Sequence, residues 1–176
     1  MQHRTVLVAL AAYLFCIAAS ASGAHAGGHG HDATLIGEAG KASEVSRTVK
    51  IEMRDTMRFS PSSLSVTQGQ TLRFLVKNEG RLKHEFVLGT ASDLQAHHAQ
   101  MKKTPQMAHA DDNMLSLAPG QSGELVWKFS KSGVVHLACL EPGHYEAGMQ
   151  GKIVVAPNSA AAPNGKPSHG GGHALH

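Results

Sequence analysis

The chain is 176 residues long, carries a net charge of +3 at pH 7 and is 41% hydrophobic. This length allows one domain with a real core, because chains of this size bury well over half of the surface that they expose when unfolded. The basic residues are scattered and form no stripe, which excludes nucleic acid as an expected partner. Histidine is abundant, with 13 copies, whereas cysteine occurs only twice.

The first 26 residues have the three parts of a secretory signal. The basic start "MQHR" precedes the apolar run "TVLVALAAYLFCIAAS" and the small residues "ASGAHA", which offer cleavage after Ala21 or Ala26. We predict a signal peptide at residues 1–26, a periplasmic location and no membrane span after cleavage. Two alternatives stay open. One is an uncleaved anchor, although the run is shorter than the ~20 residues that span a bilayer, and the other is a lipid anchor on Cys16, which its bulky preceding residues disfavour.

Cleavage would remove Cys16 and leave Cys139 as the single thiol of the mature chain. Cysteines of exported proteins normally occur in pairs, so a lone thiol is unusual in an oxidising compartment. A bound metal would protect it. The alternative is an inert cysteine buried in a strand.

Two segments of low complexity flank the central part of the chain. Residues 27–46 and 157–176 consist largely of Gly, Ala, Ser and His, with almost no large apolar side chain. Such segments cannot bury enough apolar surface to form a core, so we predict two flexible tails around one domain at residues 47–156. Histidines in and near the tails would hold metal only loosely; they are His25, His29, His31, His169, His173 and His176.

The central part has the period-two alternation of β-strands. Turn signals separate seven short apolar segments: "TVKIEMR", "SLSVTQ", "TLRFLVKN", "HEFVLG", "GELVWKF", "GVVHLAC" and "GKIVVA". This pattern predicts an all-β fold, a Greek-key β-sandwich of seven to eight strands. The interval from Ala91 to Asn113 breaks the alternation, and Ser92 and Asp93 are possible caps there, so we expect one short helical or loop excursion.

The stretch "CLEPGHYEAGM" places Cys139, His144 and Met149 at intervals of five. Thiolate, imidazole and thioether are soft or borderline donors, and copper is the metal that uses all three together. Cys139 ends an apolar strand and Met149 precedes the last one, so a loop between two paired strands would hold the three donors. His136 lies on the same strand as Cys139 but on its opposite face, and it is therefore not expected to be a ligand.

A fourth ligand is expected from another strand, and His84 is the candidate, because it begins "HEFVLG" directly after a turn. We predict a mononuclear type 1 site that holds one copper ion. His84, Cys139 and His144 would form its trigonal plane, and Met149 would make the long axial contact. The alternative for Met149 is a role as core filler, which methionine often has.

The order His, then a distant Cys-x4-His-x4-Met near the C-terminus, resembles the cupredoxins, the family of plastocyanin, azurin and rusticyanin. The spacing from Cys139 to Met149 is most similar to that of rusticyanin and auracyanin. The stretches "KHEFVLG" and "PGHYEAGMQG" resemble small periplasmic cupredoxins linked to bacterial copper tolerance. The resemblance covers residues 47–156 and implies a blue-copper domain with redox-active copper.

Two positions depart from the pattern of this family. Many members place Asn after the first histidine ligand and Ser or Thr after the cysteine, where hydrogen bonds between them tie the two ligand loops together. Here the positions hold Glu85 and Leu140. We therefore expect a different hydrogen-bond link around the ligands, with consequences for the reduction potential.

A second group of metal-binding side chains surrounds the interrupted interval. Thioethers and imidazoles at this density could take up Cu(I) or Cu(II), and a solvated loop with incidental methionines is the alternative; the residues are His97, His98, Met101, Met107, His109 and Met114.

Three classes of function compete. A catalytic multicopper enzyme is disfavoured, because it needs two or more such domains and further His-x-His ligand pairs, and the one such pair here, His29 and His31, lies in the tail. A binuclear electron-transfer copper site would need two cysteines in the loop, which has one, so no catalysis is predicted and a single copper ion is expected. The two remaining functions are copper handling or tolerance and one-electron transfer to a periplasmic or membrane redox protein. The methionine and histidine content, and the acidic loop "EPGHYEAGM" where a carrier usually has an apolar patch, favour copper handling by a monomer.

Overall fold

The structure is a computed structural model that describes residues 36–103 and 111–159. Two five-stranded sheets account for about half of these residues. Their strands are β1 (Glu38–Ala39), β2 (Val45–Arg54), β3 (Arg58–Ser60), β4 (Ser63–Thr67), β5 (Thr71–Asn78), β6 (His84–Gly89), β7 (Met114–Leu117), β8 (Ser122–Lys128), β9 (Gly133–Ala138) and β10 (Gln150–Ala156). The first sheet has the order β1-β8-β5-β2-β3, and the second has the order β4-β10-β9-β6-β7.

The chain changes sheet repeatedly between consecutive strands. It passes from β3 in the first sheet to β4 in the second and returns to the first at β5. As a result, β2 pairs with β5 and β4 pairs with β10 in parallel, whereas the other pairs are antiparallel. The predicted all-β sandwich is confirmed.

Residues 36–103 and 111–159 contain ten strands, where the alternation pattern indicated seven to eight. The three further strands are β1, β3 and β7, which are two to four residues long and lie at sheet edges. A strand of this length contains too few residues to show alternation, so its pairing becomes visible only beside its neighbour in the sheet.

Aromatic side chains from both sheets form the centre of the core. The rings of Phe74 in β5 and Phe86 in β6 lie 5.3 Å apart, and Phe59 and Phe129 make edge contacts with Phe86 and Phe74 respectively. All four are buried. The strand that begins with His84 is therefore anchored through Phe86 to the opposite sheet.

Part of the predicted N-terminal tail lies against the first sheet. Ile36 is buried, β1 pairs with β8, and the indole Nε1 of Trp127 donates a hydrogen bond to the backbone oxygen of Ile36 at 3.4 Å. This short segment covers one edge of the Trp127 indole, and burial of this large apolar ring explains why the segment lies against the sheet. A 3-10 helix at Ala42–Glu44 then leads into β2. Residues 1–35, with the predicted signal peptide, and residues 160–176 lie outside the described residues.

The predicted excursion contains helix α1 (Ala91–Lys103). Its start is fixed by Thr90 and Asp93: the backbone N–H of Asp93 donates to Thr90 Oγ1 at 3.1 Å, and that of Thr90 donates to Asp93 Oδ2 at 3.3 Å. This reciprocal arrangement is a capping box, which begins at Thr90, two residues before Ser92, and which includes the predicted cap Asp93. Within the two described ranges, no helix has the length and apolar character needed to cross a membrane.

Candidate metal centre

Neighbouring strands of the second sheet bring two of the predicted ligands together. His84 is the first residue of β6, and Cys139 directly follows β9, which pairs with β6. The backbone N–H of Glu85 donates to Cys139 Sγ at 3.3 Å. Both His84 and Cys139 are completely buried.

The loop between β9 and β10 adds the other two residues. Backbone hydrogen bonds from His144 to Glu141 (3.0 Å) and from Ala147 to Gly143 (3.1 Å) fold this loop tightly. Gly143 has a φ of +82°, a conformation that costs glycine little. The loop is therefore a compact, internally bonded unit that joins paired strands.

Met149 is tied to the same loop through its backbone. Its N–H donates to the oxygen of His144 at 3.0 Å, and its own oxygen accepts from the N–H of Cys139 at 3.0 Å. The side chain is fully buried in the main core cluster, which also contains Cys139. Met149 thus has the position of either an axial ligand or a packing residue.

Three donor atoms converge to form the centre. The Nδ1 atoms of His84 and His144 lie 3.2 Å apart, and Cys139 Sγ lies 3.9 Å from the first and 3.3 Å from the second. Nitrogen and sulfur ligands bind ions such as zinc at about 2.0–2.3 Å, so donors around one ion are separated by about 3–4 Å. Within the described part of the chain, this is the group of His, Cys and acidic residues whose spacing suits a metal.

Burial keeps the thiol and His144 uncharged while no metal is bound. Burial raises the pKa of Cys139 to about 12, although the backbone N–H of Glu85 partly offsets this effect. Burial, followed by the neighbouring His84, lowers the pKa of His144 below its ordinary value. The imidazole is therefore available as a neutral donor, and a metal that binds the sulfur must displace its proton.

A carboxylate holds the far side of the first histidine. Asp55 Oδ1 lies 3.0 Å from His84 Nε2, and the same carboxylate accepts the backbone N–H groups of Arg81 at 2.8 Å and Leu82 at 3.3 Å. The bond from Arg81, with the one from His84, lowers the pKa of Asp55. The sequence pattern did not identify Asp55, since nothing local relates residues 29 positions apart.

Glu85 occupies one of the two positions that depart from the family pattern. Its side chain is buried, and burial raises its pKa to about 7; the charge of Glu141 raises it further, whereas Lys83 and the backbone N–H of Leu140 lower it. The carboxyl group therefore interacts with the backbone directly after Cys139. In this way it connects the strand of His84 with the strand of the cysteine.

The predicted second group of methionines and histidines is dispersed where it is described. Met101 and Met114 are buried in an apolar cluster with Leu94 and Leu140. His97 is buried on the same helix face as Met101, whereas His98 contacts Glu146 of the ligand loop. Met107 and His109 lie outside the described residues. His136 is half-buried, consistent with the outward face that was predicted for it.

The donors fit copper. Two imidazole nitrogens and one thiolate are ligands that suit copper, and the softness of sulfur favours this metal over magnesium or calcium. Fold and donor set together define a β-sandwich with a candidate copper site formed by His84, Cys139 and His144.

Comparison with known proteins identifies the family. Residues 45–156 match the family of copper binding proteins described as the plastocyanin/azurin family. The chain belongs to this family, the cupredoxins, and its cofactor is copper. The resemblance inferred from the sequence is thereby confirmed.

Two relatives and one solved structure illustrate the similarity. The chain is 53% identical over 133 residues to the copper-resistant cuproprotein CopI of Rubrivivax gelatinosus, with 75% of this chain and 81% of that protein covered. It is 34% identical over 173 residues to the protein of the same name from Pseudomonas aeruginosa, with 82% and 91% covered. Auracyanin from Roseiflexus castenholzii shares the fold, with a TM-score of 0.56, 24% identity and coverage of 64% of this chain and 99% of that one.

Proposed function

We propose that this protein is exported to the periplasm through a signal peptide at residues 1–26 and serves copper tolerance there by binding one copper ion. His84, Cys139 and His144 are its equatorial ligands, and Met149 is the axial one. The ion alternates between Cu(I) and Cu(II), and the role is handling of the metal without catalysis.

The convergence of three donors, two of them fully buried, carries the proposal. The thiol is fully enclosed, so oxidants in the periplasm reach it only through the site. The frame of two paired strands limits movement of the ligands, which favours neither the flat Cu(II) geometry nor the more open Cu(I) geometry. Such a site can hold copper in both oxidation states with little rearrangement of its ligands.

The names of the relatives support tolerance as the purpose of binding. Both CopI proteins are described as copper-resistant cuproproteins, and the similarity extends over most of their length. The acidic residues of the ligand loop are consistent with this role. Glu141 pairs with Lys83 at 2.7 Å, and Glu146 pairs with Lys102 at 3.1 Å, so the ligand loop carries an ion pair on each side of His144 in the sequence.

One-electron transfer is the alternative function. His144 is only half-buried, so one edge of a ligand ring is accessible to a redox partner. A carrier would need this accessibility, whereas a protein that retains copper would not. The two functions share the same site and differ in which cellular process fails without it.

Complementation of a deletion strain separates the two functions. The strain should receive the wild type, Cys139→Ser, or His136→Gln as a control that changes the same strand on its other face. Under the proposal, the wild type and His136→Gln restore growth in raised copper, and Cys139→Ser does not. Equal growth of all three strains would contradict tolerance, and a respiratory defect at ordinary copper with unchanged tolerance would establish the carrier function.

The purified protein tests the site itself. Cu(II) bound to the Cys139 thiolate should produce an intense charge-transfer band in the visible region. The band should be lost in Cys139→Ser and kept in His136→Gln, with the far-ultraviolet circular dichroism unchanged in both. A colourless copper-loaded wild type would rule out a type 1 centre.

A further inference from the structure

We propose that the β2–β3 hairpin is a positioning bracket for the copper site, in which Asp55 of its loop orients His84 and Arg58, the first residue of β3, holds the ligand loop. This inference rests on the ligand set proposed above. It adds two residues outside that set. In many cupredoxins, hydrogen bonds between Asn and Ser or Thr tie the two ligand loops together, and we assign part of this task here to Asp55 and Arg58.

The turn is well suited to serve as a fixed base. Arg54 pairs with Arg58, so residues 55–57 form a three-residue hairpin loop, closed by a hydrogen bond from the N–H of Met57 to the oxygen of Arg54 at 2.9 Å. Met57 has a φ of +58°, which is uncommon for a residue other than glycine but typical of the last position in such loops. Its side chain packs against the core and holds this conformation from inside.

The first arm of the bracket acts on the ring of His84. The side chain of His84 is completely buried, and its Nε2 faces Asp55 Oδ1 at 3.0 Å. Because a carboxylate accepts hydrogen bonds, the ring proton lies on Nε2 and the lone pair of Nδ1 faces Cys139 Sγ. A negative group behind the ring also increases its donor strength, which stabilises Cu(II) relative to Cu(I).

The loop before His84 is built around this contact. A Cβ atom at Gly80 would overlap the carboxylate of Asp55 and lie 3.1 Å from His84 Nε2, so only glycine permits their approach. The buried Asn78 shapes the same loop, since its Nδ2 donates to the oxygen of Leu82 at 2.8 Å. Leu82 in turn donates its N–H to Asp55.

The second arm acts on the backbone that precedes Met149. Arg58 Nη1 donates to the oxygen of Ala147 at 3.0 Å and to that of Met57 at 2.7 Å. Gly148 has a φ of +90°, and a Cβ atom there would lie 3.1 Å from the same nitrogen. The guanidinium group therefore lies directly against the loop, two residues before the axial position. One hairpin, through Asp55 in its loop and Arg58 in β3, thus contacts both segments that supply copper ligands.

The first experiment compares Asp55→Asn with Glu79→Gln. Glu79 is an exposed residue that precedes Gly80, so its variant loses the same charge without touching a ligand. For Asp55→Asn we expect a 10- to 100-fold weaker Cu(II) affinity, by analogy with other outer partners of metal-bound histidines. A higher reduction potential and a shifted visible band should accompany it. Glu79→Gln should remain within about twofold of the wild type, because exposed charges are screened by salt.

Two further variants guard against a simple loss of folding. Gly80→Ala keeps the Asp55 side chain, but the added Cβ would push the carboxylate away from His84. This variant should therefore show the same Cu(II) affinity and reduction potential as Asp55→Asn. Arg58→Gln should accelerate amide hydrogen exchange at residues 147–149 of the metal-free protein, whereas Arg54→Gln, an equal loss of charge on the other strand of the hairpin, should not. Denaturant unfolding of each variant reports its overall stability separately.

The outcomes distinguish the bracket from the ligand set. A wild type without a thiolate band would overturn both. A wild type with the band, beside an Asp55→Asn variant equal to Glu79→Gln in affinity and potential, would overturn the role of Asp55 alone. Equal hydrogen exchange in Arg58→Gln and Arg54→Gln would overturn the role of Arg58.

Discussion

Glu85 shows how the protonation of a single side chain beside the site can make the stability of the fold depend on pH. The carboxyl group lies next to a proposed ligand, is buried, and has a pKa of about 7 against an ordinary value of 4.5. Burial disfavours its ionised form, so the folded protein holds the proton more tightly than the unfolded chain does. Glu85 therefore contributes most to stability in acid, and the contribution is lost as pH rises through 7.

Replacing this carboxyl group should remove that pH dependence. Between pH 4.5 and 8, the metal-free wild type should lose ~3 kcal/mol of unfolding free energy relative to Glu85→Gln, since each unit of pKa shift corresponds to about 1.4 kcal/mol. Denaturant titrations of both proteins at several pH values measure the difference. His144, whose lowered pKa destabilises the folded state in acid, is present in both and cancels. Parallel pH profiles would show that Glu85 is solvated.

The side chain of Met149 should control the reduction potential. Met149→Gln should lower it, because an oxygen donor favours Cu(II), and Met149→Leu should raise it, because the axial donor is lost. Met53→Leu provides a matched control, since Met53 is equally buried but lies in β2. Redox titration of the visible band measures all three. A potential that is unchanged in both Met149 variants would assign this side chain to packing.

At the scale of elements, helix α1 is attached to the ligand loop by charged and aromatic contacts. Glu146 Oε1 lies 3.2 Å from His98 Nε2 and 3.1 Å from Lys102 Nζ, and the rings of His98 and Tyr145 are 4.9 Å apart. Tyr145 and Glu146 directly follow His144. The helix therefore contacts the loop at Tyr145 and Glu146, while Arg58 of the β2–β3 hairpin contacts it at Ala147.

Removing the charge of Glu146 should loosen the helix without changing the site. In Glu146→Gln, the amides of α1 should exchange hydrogen faster, and the visible band should stay unchanged. Glu124→Gln, which breaks an exposed ion pair with Arg73 in the first sheet, is the control. Since exposed pairs are screened, high salt should reduce the difference between Glu146→Gln and the wild type. Identical exchange of α1 in wild type and Glu146→Gln would mean that apolar packing alone holds the helix.

At the scale of the whole molecule, the segment from Ile36 to Ala39, which precedes the predicted domain, packs against the edge of the first sheet. Trp127 is 1% exposed, partly because Ile36 and β1 cover the end of β8. Gly37 allows this approach, since a Cβ atom there would overlap the oxygen of Lys128 and lie 2.6 Å from the indole nitrogen. The segment thus behaves as a strap over the core.

Removing the strap should expose the single tryptophan. A chain that begins at Val45 should show red-shifted emission from Trp127 and lose about 2–3 kcal/mol of stability, the usual value for burying one isoleucine, relative to a chain that begins at Ile36. Gly37→Val in the full chain should shift the emission in the same direction. Fluorescence and denaturant unfolding measure both effects. Unchanged emission in the shorter chain would mean that other residues cover the indole.

The order of residues was sufficient for the features that depend on neighbours in the chain. Alternating side chains in segments such as "TLRFLVKN" predict strands because successive residues of a strand face opposite sides. The interval of five between Cys139, His144 and Met149 indicates copper because a short loop keeps its donors close in any fold. His84 was inferred less directly, from its place at the start of a strand. In the structure its Nδ1 lies near Cys139 Sγ and His144 Nδ1.

Contacts between distant segments could not be read from the chain. The contact of Asp55 with His84, the contact of Arg58 with Ala147 and the burial of Ile36 depend on which strands become neighbours and in which register. The short edge strands β1, β3 and β7 could not be predicted either, since two to four residues carry no periodic signal and their pairing depends on a neighbouring strand. Burial likewise raises the pKa of Glu85, a polar residue whose surroundings come from several elements at once. These features arise when the two sheets pack, because a side chain acquires its partners and its dielectric environment only from the completed fold.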